Sequence, residues 1–407
     1  AIDERAFANA RLSPDVVGYL PRPTKWLRHA VRSPRATRFG SLALRVLWPR
    51  GIAALFFKME HRRFAAHAGA VRDQSEALTA ANTGVVLALS SRVAEVVRPP
   101  SITDVPAHWI TMPWATLEDP PPGIRTIDVF ALLTSAQLDR ARRLAVASVA
   151  ALHRRGRRRK WVLQSYTAFR WFCVRLAIDR FNGEFVMAEH FDRWACLVDA
   201  CVADKARRSG ACDDRPASLT LIQHGVVADL SQSSTTHGLG IALPCRLRSV
   251  DRLRVYDQAS AEIFQRDILS AAVGAKRPAI MTFQPLIKLA PRTHDSRPAI
   301  LFVGHPLCGQ LHARVRSELA SLIDVTAYYK PHPMDGMLDD LRHQNWSIIE
   351  GRITFPDVDL LVSYPSTLVR EYAGHGIHAV LHSMDCPVEE AARIASEIAD
   401  RLRQRGL

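Results

Sequence analysis

The sequence predicts an α/β protein: two Rossmann-like domains facing across a cleft, preceded by a basic helical N-terminal segment. Three observations predict it. Short apolar runs alternate with helical patterns through the last hundred residues, as in a parallel βα sheet. The length of 407 residues, with 48% apolar residues, suits two ordinary domains with real cores. Compact polar residues close several apolar runs, at the strand ends where open α/β sheets bind ligands.

Residues 1–75 read as the basic helical segment. Arg22, Lys25, Arg28, Arg32, Arg35 and Arg38 recur every three or four residues, with Trp26 and Phe39 among them. Leu47, Trp48, Leu55, Phe56 and Phe57 supply an apolar partner, interrupted by Pro49. Two readings stand: a helix lying on an anionic membrane surface, or an appendage packed on the first domain with its arginines solvated.

Residues 76–285 read as the first, acceptor-side domain. Residues 84–90 form the first buried strand, an apolar run bounded by Gly and Ser. Shorter strands are expected at 109–112 and 126–130, between proline-marked loops, and a helix at 136–152. The block from His153 to Lys160 is a run of like charge. Nucleic-acid contact is its sharp reading and a solvated helix end its plain one. No aromatic platform or zinc finger accompanies it, so nucleic acid is disfavoured as a partner. An aromatic helix follows at 161–178, then a strand at 185–188 that ends in Glu189-His190-Phe191-Asp192. A helix is expected through 197–206. The strand at 218–222 delivers Gln223-His224-Gly225 to a loop, and residues 231–238 form a polar loop long enough to cover a site. Further strands are expected at 254–256 and 279–282.

Residues 286–298, with Pro291 and Pro298, read as the linker. Residues 299–387 read as the second, nucleotide-binding domain. Its strand at 299–303 ends in Gly304-His305-Pro306. A helix at 310–322, strand 325–329, helix 335–343, strands 347–349 and 359–362, helix 366–374 and strand 378–381 follow. A C-terminal helix occupies 388–407 and is expected to return to the first domain.

Two stretches organise the candidate chemistry. The first, Lys330-Pro331-His332-Pro333, closes a strand, and its prolines fix where Lys330 and His332 point. Lys330 can neutralise a phosphate oxygen and His332 can donate to one; a rigid strand-end turn is the alternative. The second, Ser363-Tyr364-Pro365-Ser366-Thr367, opens a helix, where Ser366 and Thr367 can cradle an anion or act as an ordinary N-cap. Glu371, one turn inside, could reach a ribose hydroxyl or sit on the surface. Gly304 and Gly309 flank His305, and small residues there let a ligand approach the backbone. Neither a Walker loop nor a G-x-G-x-x-G fingerprint follows any strand. On the acceptor side, Gln223, His224 and Asp192 each follow an apolar run, and Asp192 or His224 could take a proton from an acceptor hydroxyl. A buried structural histidine and a helix N-cap are the alternatives.

His332-Pro333 and Ser366-Thr367 resemble the HP and S-S/T motifs of bacterial sialyltransferases and Kdo transferases, GT-B glycosyltransferases of capsule and lipopolysaccharide synthesis. The resemblance spans roughly residues 218–385. It implies two Rossmann-like domains, a CMP-sugar whose phosphate is held by His332, Ser366 and Thr367, and a base on a first-domain carboxylate. The D/E-D/E-G motif that carries that base in several sialyltransferases is not evident, and Asp192 stands in for it. Teichoic-acid glycerophosphotransferases, which use CDP-glycerol, are similar in the second domain. No D-x-D motif closes a strand, which fits a metal-independent enzyme whose fixed donors stabilise the departing phosphate.

The sequence therefore reads as a glycosyltransferase using a nucleotide sugar, CMP-sugar favoured, on a glycan or lipid-linked acceptor, with no separate cofactor and no metal. Glycerol- or sugar-phosphate transfer, and a non-enzymatic binder of nucleic acid or anionic membrane, are the alternatives. The net charge of +14 points to an anionic partner. Seven cysteines, odd in number and never spaced C-x-x-C, argue against disulfides and a structural zinc site. With no charge-free apolar run of about 18 residues, the expected place is the cytoplasm, with peripheral contact at the inner membrane face. The chain opens on Ala1, so an artificial or processed start is expected.

Overall fold

The computed structural model describes residues 46–407, apart from 75–83, 91–92, 99–101, 103, 105, 107, 116, 118–119, 155–161, 164, 210–216, 226, 228–242, 244, 285–286, 292–296, 306, 333–340, 342–343 and 351–353. Two parallel sheets and their helices make up the described chain.

The first sheet holds seven strands: β1 (Val85–Ala88), β2 (His108–Thr111), β3 (Arg125–Asp128), β4 (Glu184–Met187), β5 (Ser218–Ile222), β6 (Arg252–Val255) and β7 (Ala279–Thr282). Their order is β3-β2-β1-β4-β5-β6-β7. The helices before β6 are α1 (Ala53–Ala70), α2 (Val93–Val96), α3 (Ser135–Arg154), α4 (Ala168–Ile178) and α5 (Arg193–Ser209); α6 (Gln258–Ile263) follows β6. β1 explains why the central strands are apolar throughout. Val85 and Leu87 enter one core while Val86 and Ala88 enter the core on the opposite face. A strand covered on both sides cannot alternate polar and apolar residues.

The second sheet has five strands in the order β11-β10-β9-β13-β14: β9 (Ala299–Val303), β10 (Thr326–Lys330), β11 (Ser347–Ile348), β13 (Leu360–Ser363) and β14 (His378–Leu381). Its helices are α7 (Gly309–Leu319), α8 (Thr367–Ala373) and α9 (Ala391–Gln404). The same two-faced rule holds: Ile300 and Phe302 lie in one core, Leu301 and Val303 in the other. Read by chain position, both sheets run third, second, first, fourth, fifth. That is the doubly wound order, whose ligand crevice opens where the order reverses, between β1 and β4 and between β9 and β13.

Several sequence expectations need correction. The C-terminal helix does not return to the first sheet. Ile394, Ile398 and Leu402 of α9 share a core with Leu311 and Val315 of α7 and with β9 and β10. The segment read as a linker is not bare: β8 (Lys288–Ala290) pairs in parallel with β12 (Thr354–Pro356), and Ile287 belongs to the second sheet's core. The aromatic helix starts at Ala168 rather than at 161. The helix read at 335–343 lies almost wholly outside the described residues, as do residues 155–160 and the polar loop at 231–238.

Of the basic N-terminal segment, residues 46–74 are described. α1 buries Phe57, Phe64 and Ala68 in the first sheet's core, and Phe64 stacks on Phe130 at 4.4 Å between ring centroids. This part is packed on the first sheet; the arginines from Arg22 to Arg38 lie outside the described residues. Among the described residues no helix is long and apolar enough to cross a membrane.

Candidate functional site

At the second sheet's crevice, three strand ends contribute. β10 and β13 are not adjacent, because β9 runs between them. β9 therefore supplies the residue that joins the two motifs. The His305 ring lies edge-on to His332, with centroids 5.1 Å apart, and edge-on to Tyr364 at 5.6 Å. His305 Nδ1 accepts from the Leu307 backbone N–H at 3.3 Å, which places its proton on Nε2. Ser363 is buried at the end of β13; its hydroxyl donates to the Tyr364 carbonyl at 2.6 Å and meets Ser366 Oγ at 3.2 Å. Ser366 occupies the N-cap of α8, yet its side chain makes no capping hydrogen bond. The plain N-cap reading thus fails in the one respect that would have used the hydroxyl.

Lys330 sits differently from expectation. It is buried, and its ammonium donates to the carbonyls of Ile349 at 3.1 Å and Glu350 at 3.4 Å. It ties the end of β10 to the chain leaving β11. Pro333, second half of the HP motif, lies outside the described residues. Gly304 is glycine for a reason internal to the fold. A Cβ there would lie 2.2 Å from Tyr329 Oη and 2.4 Å from its Cζ. Tyr329 is buried and stacked on Trp346 at 4.4 Å, so it has little room to yield. Gly304→Ala should lower stability by about 1–3 kcal/mol, the usual cost of overpacking; urea unfolding of the variant checks it.

At the first sheet's crevice, Ser90 follows β1 and Glu189 follows β4. Ser90 Oγ donates to Glu189 Oε1 at 2.8 Å, across the point where the strand order reverses. Glu189 is buried, and its Oε2 has no partner among the described residues. Burial, and secondarily the negative charge of Asp192, pushes its carboxyl up to about 8. Beside it, His190 and His224 lie with ring centroids 4.0 Å apart. The His224 backbone N–H donates to His190 Nε2 at 3.0 Å, and His224 Nδ1 bonds the Ala188 carbonyl. That bond puts the His224 proton on Nδ1 and leaves Nε2 as its acceptor nitrogen.

Asp192 is exposed and serves as the N-cap of α5, accepting from the backbone N–H groups of Trp194 at 2.8 Å and Ala195 at 2.9 Å. Gln223 is structural: its amide donates to the Gly225 carbonyl and Ser260 Oγ, and its oxygen accepts from the Tyr256 N–H. The sequence reading named Asp192 as a candidate, and not Glu189 three residues earlier.

The strand ends of both sheets meet. A Cβ on Gly225, after β5, would lie 3.8 Å from Thr367 Oγ1 in α8. Arg370 of α8 pairs with Asp257, the N-cap of α6. Between them is a cavity of about 410 Å³ lined by Tyr256, Thr282, Phe283, Gln284, Arg370 and Ala373, a size ordinary for small-molecule sites. Glu371 is partly buried; burial first, then the charge of Glu95 in α2, pushes its carboxyl up to about 7.

No protein-family model matches this chain, and no curated protein does. A solved structure similar to it is that of the S. aureus glycosyltransferase TarM, as a mutant in complex with Fondaparinux, alpha-GlcNAc-glycerol and UDP. The identity is 9% and the TM-score 0.28; the match covers 59% of this chain and 55% of that one. The match thus spans little more than half of that neighbour's length.

Proposed function

We propose that the protein is a GT-B-type glycosyltransferase that moves a sugar from a nucleotide sugar to a glycan or lipid-linked acceptor. One observation carries the proposal: two doubly wound sheets present polar clusters at both reversal points, and elements from their strand ends come together where Arg370 pairs with Asp257, with Thr367 beside Gly225. The donor phosphate would sit on His305, His332, Ser366 and Thr367, with Glu371 available to a ribose hydroxyl. The acceptor would lie at Ser90, Glu189 and His224. Glu189, rather than Asp192, takes the base role, because Glu189 is buried at the reversal point with no partner for Oε2 among the described residues, whereas Asp192 is exposed and caps α5.

In the reaction so assigned, the acceptor hydroxyl loses its proton to Glu189 and its oxygen attacks the anomeric carbon. The bond from that carbon to the phosphate oxygen breaks, and the nucleotide leaves with the electron pair. Fixed hydrogen-bond donors act on the charge that develops there. With Lys330 tied to backbone carbonyls, the groups assigned to the phosphate are imidazoles and hydroxyls. Such a set suits the single phosphate of a CMP-sugar better than a diphosphate, which carries more charge to offset. A thermal-shift panel of CMP, CDP, UDP, GDP and ADP tests this. CMP should raise the melting temperature most, since a ligand bound only to the native state stabilises it. No shift with any nucleotide would defeat the proposal.

A further inference from the structure

A second cluster lies behind the donor crevice. Cys308 is the N-cap of α7, His312 lies in that helix's first turn, and His382 follows β14. All three are buried, and their potential ligand atoms lie within 4.8 Å of one another. His312 Nε2 and His382 Nε2 are 2.8 Å apart. His382 donates its other nitrogen, Nδ1, to the Ser383 carbonyl at 2.7 Å, so its Nε2 presents a lone pair to the cluster. A metal-binding histidine is typically held in this way, by a second-shell bond that fixes its tautomer. His312 is wholly buried, and its Nδ1 has no partner among the described residues. Its Nε2, which faces His382, is the nitrogen offered to the cluster.

We propose that Cys308, His312 and His382 form a zinc site. Thiolate and imidazole are ligands zinc takes, at about 2.3 Å to sulfur and about 2.0 Å to nitrogen, and water would complete the tetrahedron. Around a tetrahedral ion the two imidazole nitrogens would stand about 3.3 Å apart, so the rings need separate only slightly from their 2.8 Å contact. The spacing explains why the sequence argued against zinc. Cys308 and His312 are spaced C-x-x-x-H, His382 follows about seventy residues later, and no C-x-x-C is present.

The ion would pin the first turn of α7 to the chain leaving β14. Cys308 is three residues from His305, and its backbone N–H and thiol both donate to the His305 carbonyl, at 3.1 and 3.4 Å. The zinc would thus hold the loop that presents His305 to the donor. That last consequence rests on the function proposed above; the metal site does not.

The test is metal content and spectroscopy on the full chain. Protein from zinc-supplemented culture should retain about one zinc per chain after dialysis. Cobalt exchanged into it should give a thiolate-to-cobalt charge-transfer band and tetrahedral visible bands. Cys308→Ser should lose the charge-transfer band, and Cys308→Ser with His382→Gln should lose the zinc. A chelator should lower the melting temperature of the wild type. Should the variants fail to fold, the wild-type cobalt spectrum decides alone. Folded wild type without stoichiometric zinc and without a charge-transfer band would overturn the site, and so would zinc retained by a folded double variant. None of these readouts depends on transferase activity.

Discussion

Glu189→Gln should abolish transfer while making the protein more stable at alkaline pH. The substitution keeps the acceptor for Ser90 Oγ at its 2.8 Å bond and copies the shape of the protonated acid. It removes only the ability to take a proton. Loss of a general base costs roughly two to four orders of magnitude in kcat. The stability effect has the opposite sign. The native carboxyl is pushed up to about 8, chiefly by burial, so between the ordinary carboxylate range and pH 8 the folded state binds more protons than the unfolded one. Stability therefore falls as pH rises through that window. Glutamine has no proton to lose. Its melting temperature should match wild type near pH 5 and exceed it near pH 9, by an amount corresponding to on the order of a few kcal/mol. Wild-type kcat/KM, conversely, should rise with pH toward about 8, as the base ionises. Melting curves at both pH values, with initial rates, check all three. A variant no more stable at pH 9 would mean that Glu189 is not held in its protonated form.

His332→Ala should lower turnover of the true donor by one to three orders of magnitude, roughly the loss of one donor to a developing oxyanion. His332 and His305 meet edge to edge at 5.1 Å, so they should act as one unit. Substituting both should cost much less than the product of the single losses, as coupled neighbours do. Far-UV circular dichroism guards against misfolding, since both rings are only partly buried. Additive losses would show that the two histidines act on different charges.

The central strands were legible because burial on two faces leaves uninterrupted apolar runs, as in β9. Residues 218–222, 279–282 and 378–381 were bounded correctly from the sequence, although the last two are largely exposed edge strands. What could not be read was which strands lie side by side. His332 and Ser366 looked like neighbours because their motifs are close in sequence; the sheet inserts β9 between them. The proposed base role moves from Asp192 to Glu189 for a reason partly visible in the sequence. Glu189 follows β4 almost directly, whereas Asp192 immediately precedes the helix at Arg193, the position of an N-cap. Burial separates the two carboxylates, and burial is a tertiary property. The same holds for Lys330, whose charge is spent on carbonyls contributed from beyond β11.

Calorimetric titration of CMP into wild type, His332→Ala and Glu189→Gln tests the division of labour between the two sheets most directly. If the second sheet's crevice holds the donor and the first supplies the base, His332→Ala should bind CMP much more weakly, while Glu189→Gln binds it like wild type yet fails to transfer. Equal CMP affinity in His332→Ala and wild type, or loss of binding in folded Glu189→Gln, would contradict that division.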